Sequence, residues 1–280
     1  MRSVPIRHLL PALLLVACAA AAQAQSTRTL PSDDWCDETD RWGSQSSQGR
    51  YTACEVRETM LPAGRLSIEG RNGGIRVKPW DRSDILVRAR IASRARTQAE
   101  ADRRVRSTGL DVRRGSVRAD EPGGRDVWVV VDYEVFAPAA TALALRTQNG
   151  GVSVEGMVGR LDARTQNGGV ALRGVGGAVR ARTTNGGISV ELARRGAREG
   201  LDLMTTNGGI TVSVPEGFAA DLTASTRVGR ISTEGLGLRG DRRQRGRYEV
   251  GDSVEARIGG GGPPLSVVTT NGGIVLRRAR

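Results

Sequence analysis

From residue 141 onward, apolar and polar residues alternate in short runs, and the runs come in pairs. Leu143/Leu145, Leu161/Ala163, Val179/Ala181 and Leu201/Leu203 make the first run of each pair. Val152/Val154, Val170/Leu172, Ile188/Val190 and Ile210/Val212 make the second. A period of two marks strands that bury one face. Between the runs stands one recurring phrase. It reads Arg-Thr-Gln-Asn-Gly-Gly-Val at 146–152 and 164–170, and Arg-Thr-Thr-Asn-Gly-Gly-Ile at 182–188. Thr-Thr-Asn-Gly-Gly-Ile stands at 205–210 and 269–274, and Arg-Asn-Gly-Gly-Ile at 71–75. Asn-Gly is a strong turn signal because both residues tolerate positive φ. The turn residues are Asn149–Gly150, Asn167–Gly168, Asn185–Gly186, Asn207–Gly208 and Asn271–Gly272. A positive φ is expected at Gly186.

The repeating asparagines at 149, 167, 185 and 207 are 18, 18 and 22 residues apart. Repeats of this length mark a solenoid or array. The fold class is all-β: a β-solenoid, single-stranded and β-helix-like, with rungs of roughly 20 residues. Stacked rungs would bring like residues to about 4.8 Å and build Asn and Thr ladders. Ordinary hairpins in a sandwich are the alternative, but hairpins do not need the same residue at the same place in every copy.

The rest of the chain divides around these repeats. Residues 1–24 read as an export signal. Arg2 and Arg7 precede an apolar stretch, and Ala22-Gln23-Ala24 is a small-residue cleavage site. Plain cleavage after Ala24 is the preferred reading. Leu15-Val16-Ala17-Cys18 also resembles a lipobox, which would put a lipid on Cys18. Residues 25–60 form a polar lead-in segment pinned by a Cys36–Cys54 disulfide, since two cysteines in an exported chain read as a pair. Trp35 and Trp42 are expected to cover an end of the core. Residues 61–280 are the solenoid, its strand pattern starting after Gly64. One short helical excursion is expected, with a Thr97-x-x-Glu100 capping box, Ala101 and Val105 as its apolar face, and a stop at Gly109. Asp126–Phe136 is the most β-prone run. Asp241–Arg247 reads as a basic excursion. Arg227-Val228-Gly229-Arg230-Ile231 sits where a turn is expected but lacks the Asn, the repeat at 265–276 closes the chain, and degenerate terminal rungs are expected to cap the stack.

Composition narrows the chemistry. The one histidine, His8, lies in the signal, and the only lysine is Lys78. That removes His-based acid–base and nucleophilic sites and most transition-metal sites. No metal or cofactor is expected. The Gly-Gly corners lack the residues of a phosphate loop or a calcium repeat. Glu155, Asp162, Glu191 and Asp202 leave a carbohydrate-active enzyme as a minor alternative, since a glycosidase needs two facing carboxylates. In register, Asp162, Arg180 and Asp202 share one outward column, which reads first as a salt-bridge ladder.

Charge gives the remaining signal. The formal net charge of +12 falls by two when Arg2 and Arg7 leave. Arg146, Arg164 and Arg182 should share a column beside the corners. Like charges at rung spacing repel unless water or an anion covers them. Two readings stay open: an anion-binding strip for lipopolysaccharide or acidic glycan, or an arginine-rich solvated face. Nucleic acid is a poor partner for an exported chain with so few aromatics.

These motifs carry a resemblance. The Trp35-Cys36 and Cys54-Glu55-Val56-Arg57-Glu58 segments, Arg71-Asn72-Gly73-Gly74-Ile75 and the later repeats are similar to a bacterial adhesin-like domain of unknown function. The match covers roughly residues 35–280, with a departure at Val228. The resemblance implies a β-solenoid exposed in the cell envelope and no established activity. The expected function is an exported, non-enzymatic, adhesin-like binding module in the periplasm or at the outer membrane or cell surface. Its partners would be anionic envelope polymers or another envelope protein, and it would touch the membrane only through a lipid on Cys18. A periplasmic scaffold or sensor accessory without a polymer ligand is the alternative.

Overall fold

A computed structural model describes residues 27–30, 34–36, 51–122, 128–194, 199–244 and 251–279. The export signal, Cys18 and Trp42 lie outside the described residues. No described helix is long and apolar enough to cross a membrane.

The chain is mostly strand. β1 (Thr27–Leu30) pairs antiparallel with β2 (Tyr51–Leu61). β3 (Leu66–Asn72) and β4 (Ile75–Pro79) flank the first corner. β5 (Ile85–Ala95), helix α1 (Gln98–Ser107), the hairpin β6 (Gly109–Arg113)–β7 (Ser116–Asp120) and β8 (Trp128–Ala137) follow. The regular rungs are β9 (Leu143–Asn149) with β10 (Val152–Glu155), and β11 (Leu161–Asn167) with β12 (Val170–Val175). After them come β13 (Val179–Asn185) with β14 (Ile188–Leu192), and β15 (Leu201–Asn207) with β16 (Ile210–Val214). Next are β17 (Ala220–Val228), β18 (Ile231–Glu234), the hairpin β19 (Arg239–Gln244)–β20 (Asp252–Ile258), β21 (Pro264–Asn271) and β22 (Ile274–Arg278).

Each rung places one strand in each of two facing sheets. One sheet runs β1-β2-β5-β8-β4-β10-β12-β14-β16-β22-β18, and the other β19-β20-β17-β21-β15-β13-β11-β9-β3-β7-β6. The rungs pair in parallel with like residue on like: Leu161 on Val179, Thr165 on Thr183, Asn167 on Asn185. The inward residues of both sheets meet as a thin aliphatic core, with Leu145, Ala163, Ala181 and Leu203 facing Val154, Leu172, Val190 and Val212. Burying each Val or Leu contributes roughly 1.5–3 kcal/mol.

The order of rungs differs from the order in the chain. The last repeat of the chain does not stand last in the stack; the degenerate corner does. β21 inserts between β15 and β17, and β22 between β16 and β18. The physical reason lies in the corners. The 269–274 repeat is complete and bonds on both sides, whereas the β17–β18 corner has Val228 where the others have Asn, and stands last. There the carboxylate of Asp252 accepts from the Ile231 N–H at 3.1 Å. In the other rungs that hydrogen bond goes to the next rung's corner, as from Ile210 N to Gly273 O at 2.9 Å. A side chain thus takes the place of the missing rung.

Four further expectations are corrected. Strand structure begins ahead of Gly64, in β1 and β2, and the buried residues of β2, Val56, Thr59 and Leu61, do not keep a period of two. Thr97 caps α1 as the motif requires, but the helix stops at Thr108, whose hydroxyl donates to Arg104 O, and Gly109 starts β6. Residues 239–244 are an antiparallel strand beside β20 instead of an excursion. Trp35 covers no end of the core. It lies over the guanidinium groups of Arg88 and Arg90 on the outer face of β5.

Candidate functional site

Buried backbone polar groups need partners, and the corner meets this need in a fixed way. The N–H of the first corner glycine donates to the next rung's Asn carbonyl, as from Gly150 to Asn167 at 2.9 Å. The residue after the corner donates to the next rung's second glycine, as from Val152 to Gly169 at 3.0 Å. The buried threonine donates back to the preceding rung's first glycine, as from Thr183 Oγ1 to Gly168 O at 2.8 Å. The Asn side chains bond one to the next along the stack at 2.8–2.9 Å, from Asn72 through Asn149, Asn167, Asn185 and Asn207 to Asn271. The expected Asn ladder is therefore present. The threonines form a column but bond glycine carbonyls, not one another.

One group per corner is left over. No described residue accepts from the N–H of Gly151, Gly169, Gly187 or Gly209. In the first corner the equivalent N–H, of Gly74, donates to Asp132 Oδ1 at 2.7 Å. Asp132 stands on the outer face of β8 and is held by Arg90, whose Nη2 donates to its Oδ2 at 2.6 Å. The Gly74 bond shows which way these N–H groups point, and the matched register repeats that direction in every rung.

These glycines line one long groove of about 870 Å³ that crosses the stack on the outer face of β4, β10, β12, β14 and β16. Its floor carries Ser153, Ala171, Ser189 and Thr211, small residues that leave the corners uncovered. Trp35, Arg90 and Asp132 bound one end, and Arg76 stands beside it. No described carboxylate pairs with Arg76. Sequence reasoning missed this groove. The signal available was the small residue two places beyond four of the Gly-Gly pairs, at 153, 171, 189 and 211.

The column of Arg146, Arg164 and Arg182 lies on the outer face of the opposite sheet, in adjacent register. Each arginine meets a carboxylate. Arg146 pairs with Glu69 at 3.4 Å, Arg164 with Asp162 at 2.9 Å, and Arg182 with Asp202 at 2.9 Å. Arg180 shares Asp202 at 2.9 Å. The like-charge repulsion expected along the column is relieved by these acids. Among the described residues no three His, Cys, Asp or Glu cluster as metal ligands. Glu155 pairs with Arg173 at 3.5 Å.

The corner glycines also correct a detail. Gly186 has no left-handed φ. It must be glycine because a Cβ there would lie 2.0 Å from Gly168 O. Elsewhere, Cys36 and Cys54 are disulfide-bonded, with Cα atoms 5.8 Å apart. This fixes the helical residues 34–36 onto β2 and fits an oxidising compartment. Tyr133 is buried between the sheets. Desolvation, with the nearby Glu121 carboxylate, pushes its phenol well above the usual range.

Two facing, largely parallel sheets built from stacked corner repeats define a solenoid-like repeat protein. The chain belongs to the Toastrack DUF4097 family, whose profile matches residues 62–277. No curated protein matches it. Among solved structures it is similar to a candidate cell adhesion protein from Clostridium sporogenes. That pair has 13% identity and a TM-score of 0.37, over 80% of this chain and 100% of the other. A candidate adhesin from Bacteroides fragilis has 9% identity and a TM-score of 0.29, over 83% of this chain and 98% of that one. One from Parabacteroides distasonis has 7% identity and a TM-score of 0.25, over 80% and 97%. Likeness at these scores carries nothing about ligand or site.

Proposed function

We propose that the protein is an exported, adhesin-like module of the cell envelope that holds an extended polymer along its stack and catalyses nothing. The observation that carries this reading is the groove. It crosses successive rungs and offers the same groups once per strand spacing, about 4.8 Å, which suits a ligand that also repeats. The disulfide supports a periplasmic or surface location. The carboxylates Asp162, Asp202 and Glu155, which a glycan-cleaving site would need free, are held by arginines. The arginine column is the second place where an anionic polymer would lie. Its ion pairs favour the scaffold reading for that face, since a mixed-charge surface offers a polyanion little net attraction.

The test is binding of the mature protein to a panel of neutral and anionic envelope polymers. Ala171→Trp should fill the groove and lower affinity at least about tenfold, by displacing ligand from a concave site. Replacing Arg146, Arg164 and Arg182 together by Gln should cost no more than replacing Arg94, Arg118 and Arg277. A loss confined to the first arginine triple would move the ligand to the opposite face. No binding by any polymer at low salt would leave the scaffold as the better reading.

A further inference from the structure

The groove already contains one example of what it binds. At its first corner the Gly74 N–H is occupied by the carboxylate of Asp132. The next four corners present the same N–H, in the same register, with no intramolecular acceptor among the described residues. Gly74 is partly covered by that carboxylate, while Gly151, Gly169, Gly187 and Gly209 are exposed. The groove therefore offers a row of backbone donors with no matching row of carboxylates. Its charged residues are Arg76, Arg90 and Asp132, and the last two neutralise each other. The surplus charge is the cation of Arg76. Resting on the reading of this groove as the ligand site, we propose that it selects a polyuronate glycan. The N–H groups of Gly151, Gly169, Gly187 and Gly209 hold its carboxylates.

Carboxylates make stronger hydrogen bonds to N–H groups than neutral oxygens do, and Asp132 shows that the corner geometry admits one. The hydroxyl-bearing floor favours a glycan over an acidic peptide. In an extended peptide, side chains on one face recur every second residue, about 6.6–6.8 Å apart, out of step with rungs about 4.8 Å apart. The hydroxyls of Ser153, Ser189 and Thr211 on the floor suit the ring hydroxyls.

Asp132 also supplies the test. It sits in the strand next to Gly74, at the place in its own strand that matches Gly74. Gly169 holds that relation to Gly187, and a Cβ there would meet Gly187 O at an acceptable 3.4 Å. Gly169→Asp should therefore fill the Gly187 N–H from within. Three probes are titrated into the full mature protein: an oligo-mannuronate long enough to span the groove, its carboxyl-reduced neutral form, and an oligo-glutamate of equal charge. The readouts are calorimetric affinity and the amide NMR signals of the four glycines. The uronate is expected to bind and to shift all four signals together. Gly169→Asp is expected to weaken binding at least about tenfold, and Arg118→Gln, which makes the same change of net charge on the opposite sheet, to leave it within about threefold. Arg76→Gln is expected to weaken it and flatten its salt dependence. Equal binding of the neutral glycan would overturn the carboxylate assignment and leave the polymer groove standing. Equal binding of oligo-glutamate would overturn the choice of a glycan. Binding with unmoved glycine signals would overturn the donor row, and binding of no probe would remove both readings. If Gly169→Asp fails to fold, the NMR titration of the unmodified protein decides alone.

Discussion

Gly186 and Gly187 are adjacent and chemically identical, yet the stack needs only the first to be glycine. A Cβ on Gly186 would sit 2.0 Å from Gly168 O and 2.5 Å from Gly168 C. Both atoms are backbone, so the clash cannot be relieved by a rotamer. The two rungs must part. Four hydrogen bonds cross that gap, at 2.8–3.0 Å: Gly168 N to Asn185 O, Val170 N to Gly187 O, Thr183 Oγ1 to Gly168 O, and Asn185 Nδ2 to Asn167 Oδ1. At about 0.5–1.5 kcal/mol each, their loss amounts to roughly 2–6 kcal/mol. A Cβ on Gly187 would meet Gly209 O at 3.3 Å, a tight contact that a few tenths of an ångström relieve. Its small cost is offset by about 0.4–1 kcal/mol, because Ala has less freedom to lose on folding. Gly186→Ala should therefore lower stability by roughly 2–5 kcal/mol, and Gly187→Ala by less than about 1. Urea unfolding followed by circular dichroism measures both. Hydrogen exchange at the Gly168 and Val170 amides should report the local opening expected of a stack whose rungs contact only neighbours. Equal losses from the two variants, or an unchanged midpoint for Gly186→Ala, would refute close approach as the reason for this glycine.

Three other outcomes follow from the same geometry. Thr183→Val should cost about 1–3 kcal/mol, because it removes a buried donor from a backbone carbonyl, and Asn185→Ala only about 1, because its two side-chain bonds are exposed. The reverse order in urea unfolding would contradict the corner accounting. Tyr133 has its folded pKa raised above the ordinary 10.0. Its neutral form is therefore favoured by folding. That stability is complete below about pH 10 and is lost as pH climbs from there toward the raised value. The alkaline decline in melting temperature should be shallower for Tyr133→Phe than for the parent, and parallel curves would argue against a buried phenol. Reducing the Cys36–Cys54 bond, which spans 18 positions, should cost up to about 3 kcal/mol in the chain-entropy picture. An identical melting curve with and without reductant would count against it.

How much of this was legible beforehand depends on the range of each interaction. The alternation of Leu161 and Ala163, or Ile188 and Val190, is a local pattern. It named the strands and their buried faces correctly because period two is a property of the strand alone. The repeated Asn-Gly-Gly phrase named the corners and the Asn ladder, because identical residues in a periodic stack must meet one another. It could not tell why Gly186 is glycine. A turn signal and a backbone contact with the next rung leave the same letter in the sequence.

Rung order was also out of reach. Every complete corner fits against every other, so the insertion of 264–278 between earlier rungs depends on which corner tolerates a missing neighbour. Val228 held a clue, but Asp252 reaches Ile231 only once the chain has folded back. The arginine column was read correctly as a column, yet Glu69, which pairs with Arg146, comes from a strand 77 positions away. The unpaired glycine donors are a remainder, visible only after every other corner bond has been assigned. The sequence determined the strands and the stack through local periodicity. The neighbour of each rung, the pairing of its charges and the groups left open to a ligand were decided by contacts between distant residues.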